Sequence, residues 1–258
     1  MLIVAAIAFA IVVSQDGWWV WFLTALFPAE PQVLHPRASV QTLVLQHLAL
    51  IGISSSLTIM IGLPLGIFVT RSYGKPLLPL TSDITSLGQT FPPVAVLALA
   101  VPLTGFGLKP TVLALFLYGL LPVVRNTIVG LTAVPHDTLD AARGLGMTGT
   151  QILFRVELPL AARIIIAGVR ISVVINVGTA MIGAVIGAGG LGSPIVAGLI
   201  QDNLAFVVEG ALPAAMLALL LDQTLASLEE LVPGRPAGVL SERSRLPVLP
   251  GVRGSAVA

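Results

Sequence analysis

The chain contains no cysteine in its 258 residues. Disulfides and thiolate metal sites are therefore excluded, and the redox compartment stays unreadable. Charge is almost as scarce. Asp, Glu, Lys and Arg together make up 10% of the residues, where a soluble globular domain carries about 25%. The net charge of +1, with no basic patch interleaved with aromatics, gives no sign of a nucleic-acid partner. Lysine occurs only as Lys75 and Lys109, each followed by proline. A P-loop needs G-x-x-x-x-G-K-[ST], and neither lysine fits it, so no ATP-hydrolysing motif is expected on this chain. His35, His47 and His136 are scattered, with no second histidine at i+4. They read as loop or helix-end residues, not as metal ligands. No catalytic residue, metal or cofactor is expected on this chain.

What is present is apolar surface. Hydrophobic residues make up 56% and mean hydropathy is +1.00, which predicts an all-α polytopic membrane protein in contact with lipid. A spanning helix needs about 20 mostly apolar residues. Five stretches qualify: 43–69, 84–102, 111–130, 164–186 and 206–228. A sixth, 2–13, is short and stops at Ser14-Gln15-Asp16-Gly17. It lacks the positive flank of a signal peptide and reads as retained. It either continues past Asp16 as one span or is followed by an interfacial helix. Trp18, Trp19 and Trp21 suit a membrane–water boundary. About six helices are thus expected: residues 1–35 as an N-terminal membrane or interfacial region, 36–232 as the transmembrane body, and 233–258 as a tail. The tail is rich in Pro, Gly, Ser and Arg, a composition that predicts disorder.

Lys and Arg fix the expected orientation. With the loop "RSYGK" in the cytoplasm, eleven of the thirteen basic residues fall on that side and only Arg37 and Lys109 on the other. The segment near 135–160 and the C-terminus are then cytoplasmic.

Within the spans, Gly52 and Ser56, and Gly62 and Gly66, stand four apart and would let helices approach closely. Pro64 predicts a kink. Asp222, beside Gln223, is the expected exception to apolar interiors. The scarcity of buried carboxylates speaks against an ion-coupled carrier. "GAGGLG", 187–192, matches G-x-G-x-x-G, but it follows a long apolar helix and has no strand before it. It is read as a tight turn near the outer mouth, not as a dinucleotide site. Thr90, Phe91, Asn176 and Thr179 are the candidate pathway side chains, with ordinary packing as the alternative role.

One segment departs from its apolar surroundings. "DAARGLGMTGTQILFRVELP", 140–159, carries Asp140, Arg143, Arg155 and Glu157 and three glycines. Asp137 is placed to cap a helix from Thr138, and Asp140 to sit in its first turn, where the dipole favours negative charge. Ala141 and Ala142 give a small smooth face, and Gly144 and Gly146 stop the helix. Thr148-Gly149-Thr150-Gln151 fits a capping box, opening a second helix that ends near Pro159. Two short helices with a sharp joint suit insertion into a groove on another protein. An amphipathic surface loop is the alternative.

The spacing resembles the signature loop of binding-protein-dependent ABC importer permeases, E-A-A-x3-G-x9-I-x-L-P. Here it reads Asp140-Ala141-Ala142, three residues, Gly146, nine residues, then Val156-Glu157-Leu158-Pro159. Asp replaces Glu and Val replaces Ile. The resemblance covers about 40–230. "LFLYGLLPVVRNTIVGL", 115–131, and "IGAGGLG", 186–192, look like the glycine betaine/carnitine/choline osmoprotectant importers. "GAGGLG" also resembles methionine importer permeases.

The resemblance implies a five-helix type I permease core, alternating access, and a coupling helix at 135–160 that docks on an ATPase. Asp140, Ala141, Ala142, Gly146, Leu158 and Pro159 are the coupling residues carried over. It further implies ABC ATPase subunits holding ATP and Mg, a second permease copy or homologue, and an extracytoplasmic substrate-binding protein. Methionine or another amino acid stays open as substrate. An ion-coupled carrier and a non-transporting scaffold are the readings from other classes.

Overall fold

The computed structural model of the chain describes residues 2–232. The expected disorder of 233–258 concerns residues outside that range. The described part is helical: α1 Leu2–Val13, α2 Asp16–Leu26, α3 Val40–Thr70, α4 Leu78–Thr90, α5 Pro93–Thr104, α6 Leu108–Thr132, α7 His136–Gly144, α8 Gly149–Ile152, α9 Leu158–Ala180, α10 Gly192–Gln201 and α11 Leu204–Leu231. Among the described residues, four helical stretches are long and apolar enough to cross a membrane: α3, α6, 149–186 and α11. α1 and α2 make a fifth if taken as one span, but they meet at a 79° bend. α3 alone, at 31 residues, is about 46 Å long at 1.5 Å per residue, more than a hydrocarbon core of about 30 Å.

The expected span over 84–102 is not one helix. It divides into α4 and α5 at Phe91-Pro92. Pro92 and Pro93 cannot donate backbone hydrogen bonds, and a residue before proline is pushed out of the α region. Phe91 accordingly has φ −73 and ψ 133.

α3, α6 and α9 form the centre of the bundle, with α11 against α9 and α10, and α1 and α2 against α11. The helices meet through small residues, because lipid offers no hydrophobic drive for association and close van der Waals packing must serve instead. A Cβ on Gly66 would lie 2.6 Å from Thr127 Cβ on α6. A Cβ on Gly168 of α9 would lie 2.7 Å from the Pro122 carbonyl. Gly62 faces Leu120 and Val123, whereas Gly52, expected to make a similar approach, has nothing within 4 Å. The contact of Gly62 puts Pro64 of α3 and Pro122 of α6 at about one level. Each proline removes one i→i−4 hydrogen bond there.

Two aromatic and imidazole placements differ from expectation. Trp19 is fully buried rather than at a boundary. Its indole N–H donates to the Val12 carbonyl at 3.0 Å, so the α1–α2 bend holds it in the core beside Leu23 and Val13. Trp18 and Trp21 remain uncovered by this chain. His47 lies inside α3, fully buried, with Nε2 3.0 Å from the Val177 carbonyl. It is an interhelical tie, not a helix-end residue.

Candidate functional site

The polar segment joins α6 to α9. α7 begins at His136 because Pro135, with φ −61 and ψ 135, supplies the first accepting carbonyl to Thr138 and Leu139. The expected cap by Asp137 is absent. Asp137 lies in the first turn instead, and Asp140 falls beyond it, exposed and paired with Arg143 at 2.7 Å. α7 ends in a Schellman motif: the Gly146 N–H donates to Arg143 O at 2.9 Å and the Met147 N–H to Ala142 O at 3.2 Å. Gly146 takes φ +76, while Gly144 stays within the helix.

The alanines divide. Ala142 is buried with Val134, Leu139 and Ile152, and Met147 packs against them. Ala141 is exposed, next to Leu145 at 83%. The outward face is therefore Asp140, Ala141 and Leu145, and Ala142 is the internal contact that holds the two short helices together. Thr148 and Gln151 form both halves of the capping box, at 3.3 and 2.8 Å.

The second helix does not end near Pro159. It passes through a π turn, Leu153–Glu157, directly into α9. The Leu158 N–H bonds back five residues to Leu153 O. Pro159 then falls in the first turn of α9, where its missing N–H costs little. Leu158 packs against Leu131, Ala161 and Ile165, and Pro159 is exposed. Glu157 is buried, and its Oε2 accepts from Arg71 Nη1 at 2.7 Å.

Of the candidate pathway residues, Asn176 enters a polar cluster at the centre of the bundle. Its Nδ2 donates to Ser54 Oγ and Ser55 Oγ, both at 3.4 Å. Thr58, Ser172 and Asn176 converge on Gly119 of α6, where an added Cβ would meet Ser172 Oγ. All of these polar side chains are buried. Thr179 is half-buried and donates to Ile175 O within its own helix. Thr90 and Phe91 sit uncovered at the α4–α5 break, and no hydrogen bond among the described residues joins them to Asn176. The sequence reading missed the serines and Gly119. A run of three serines, 54–56, inside an apolar span was the available signal.

Among the described residues the most deeply buried carboxylate is Glu209, 1% exposed, not Asp222. Its Oε2 accepts the His35 backbone N–H at 2.8 Å. Asp222 is bidentate to Arg170, at 2.6 and 2.8 Å, linking α9 to α11. The glycine turn at 187–190 has positive φ at Gly187, Gly189 and Gly190. The Gly190 N–H donates to Gln46 Oε1 at 2.9 Å, and a cavity of about 600 Å³ opens beside it, lined by His35, Arg37, Gln46 and Ser193. Burial, aided by the charge of Arg37, lowers the pKa of His35.

Apolar spans packed through small residues, interrupted by proline and joined by an exposed polar double helix define a multi-pass helical membrane protein. Residues 62–231 match the family described as the binding-protein-dependent transport system inner membrane component, and the chain belongs to that family. It is 42% identical to the osmoprotectant import permease protein OsmY of Salmonella typhimurium, over 70% of this chain and 77% of that one. It is 41% identical to the glycine betaine/carnitine/choline transport system permease protein OpuCD of Bacillus subtilis, over 66% and 73%. Among solved structures, the inward-facing MetNI methionine ABC transporter shares the fold, with a TM-score of 0.66 at 24% identity over 74% of this chain and 95% of that one. The chain is thus an inner-membrane permease subunit of an ABC importer.

Proposed function

We propose that this permease imports quaternary-ammonium osmoprotectants of the glycine betaine, carnitine and choline type. The observation that carries this is identity of 37–41% to permeases named for glycine betaine, carnitine or choline, over 66–75% of this chain, beside 42% to one named for osmoprotectants. ATP and Mg reside on ABC ATPase subunits, two permease chains pair, and an extracytoplasmic binding protein delivers substrate. The excess of Lys and Arg on one side supports a cytoplasmic 135–160 and C-terminus. The transport body is 36–232, with 1–35 an added membrane or interfacial region.

In this reading α7 docks on the ATPase through Asp140, Ala141 and Leu145, and Ala142, Gly146, Leu158 and Pro159 shape the docking unit. Below the level of Pro64 and Pro122, glycine contacts bind α3, α6 and α9 tightly, so a push on α7 tilts them as one lever. ATP favours the outward-open state only through tighter binding to it. Asn176 and the serines around it mark the pathway's midplane, and Thr179, Thr90 and Phe91 are further pathway positions. The cavity at the glycine turn is the outer mouth.

The test is purification of the tagged chain in mild detergent, mass spectrometry of its partners, and uptake by the reconstituted complex. Labelled glycine betaine, choline and carnitine should enter in an ATP-dependent way. Methionine uptake in their place would overturn the substrate. A chain without an ATPase partner, transporting on an ion gradient, would overturn the importer mechanism.

A further inference from the structure

We infer that Arg71 and Glu157 are positioning residues that tie the end of α3 to the coupling segment, so that one push moves two helices. The inference rests on the reading of 135–160 as the ATPase-docking segment. That segment is joined covalently only to α6 and α9. The Arg71–Glu157 pair adds α3, across 86 residues of sequence.

The geometry of the pair is specific. Arg71 is the C-cap of α3, with extended backbone. Its Nε and Nη2 both donate to Thr70 Oγ1, at 3.3 and 3.1 Å. The Thr70 hydroxyl in turn donates to Ile67 O at 2.7 Å. The guanidinium is thereby held against the last turn of α3, leaving Nη1 for Glu157 at 2.7 Å. On the other side, Glu157 closes the π turn that carries α8 into α9. Single π turns interrupt the regular register of a helix and recur at functional positions. Here the turn aims the carboxylate inward, where its side chain is 9% exposed against 34% for Arg71.

A buried carboxylate deprived of its partner is strongly unfavourable, so the pair has reason to persist as the segment moves. A solvated surface pair would exchange freely with water and transmit little. The last two turns of α3 are also packed onto α6 at Gly66. A displacement of Glu157 therefore carries the α3 end and the neighbouring turn of α6 together, below the two prolines.

The test uses the complete reconstituted importer, with Glu157→Gln, Arg71→Gln, the double Arg71→Gln/Glu157→Gln variant and the charge swap Arg71→Glu/Glu157→Arg. Three quantities are measured: ATPase co-purification, thermal stability, and substrate transported per ATP hydrolysed. The ATPase should co-purify with every variant. Transport per ATP should fall about fivefold in each single variant, the low end of ordinary coupling energies. The double variant should be no worse than the singles, because one interaction is lost in all three, and the swap should restore part of the ratio. An unchanged ratio in both single variants overturns the inference, as does loss of stability that tracks transport with the ratio constant. A wild-type chain that retains no ATPase overturns the docking reading and this inference together.

Discussion

Gly146 allows the joint in the coupling segment to be tested quantitatively. Its φ is +76, in the left-handed region that costs an L-residue roughly 1–2 kcal/mol. A Cβ built there meets nothing within 4 Å. Any penalty from substitution is therefore purely one of backbone conformation, with no steric contribution from neighbours. The side chain alone should then order the effects. Asn visits this region most readily after glycine, Ala pays the ordinary penalty, and β-branched Val pays more. A penalty of 1–2 kcal/mol changes a folded-to-misfolded ratio by about 5–30-fold, acting on a two-helix unit with a very small core. The Met147 N–H to Ala142 O bond and the packing of Met147 on Ala142 would be lost when the turn opens. The assay is substrate uptake per ATP and ATPase retention for Gly146→Asn, Gly146→Ala and Gly146→Val in the reconstituted complex. Uptake should fall in that order, with Val largely uncoupled. Normal uptake by the Val variant, or an Asn variant as impaired as Val, would refute the role of left-handed geometry at this joint.

Other substitutions test other parts of the structure. Ala141→Asp should abolish ATPase co-purification with the melting temperature kept, whereas Ala142→Asp should lower the melting temperature, because it buries a charge beside Val134 and Ile152. Gly66→Ala should destabilise by about 1–3 kcal/mol through overpacking on Thr127, despite the roughly 1 kcal/mol gain in helix propensity; a raised melting temperature would show that α3 and α6 stand further apart. Asp222→Asn should cost about 1–2 kcal/mol, a modest figure because Arg170 and Asp222 are 33% and 27% exposed, and Asp222→Asn combined with Arg170→Met should recover part of it. The folded-state pKa of His35 is lowered, so this imidazole binds more protons in the unfolded chain and its own contribution to stability rises with pH. Read as wild type minus His35→Gln, that contribution to the melting temperature should fall as pH drops below about 6.5, the unfolded value.

The local features were legible in the sequence because each is set by neighbours in the chain. The capping box at Thr148 and Gln151 needs only a spacing of three, and the turn at Gly146 needs only a residue free to take positive φ. The readings that failed, in the same segment and elsewhere, required a third dimension. Ala141 and Ala142 are adjacent and chemically alike, yet successive positions on a helix point about 100° apart, and only the packing of α7 on Ile152 determines which one faces out. Pro159 looked like a stop because proline ends a regular helix. The π turn before it changes the hydrogen-bond register and lets the chain continue. The span at 84–102 had enough apolar length, but length does not register the backbone cost of Pro92 and Pro93.

The sequence by itself determined that this is a lipid-facing helical chain, without a P-loop and with one polar jointed segment, because hydropathy, composition and short spacings are properties of the chain alone. The tertiary structure decided which distant groups share a site. Glu209 reaches the backbone of His35 across 174 residues, α3 and α9 bring hydroxyls and an amide to Gly119 of α6, and Arg71 finds Glu157. Such pairs carry no local signature. A buried polar group needs a partner of complementary chemistry, and how the helices pack determines which residue that partner is.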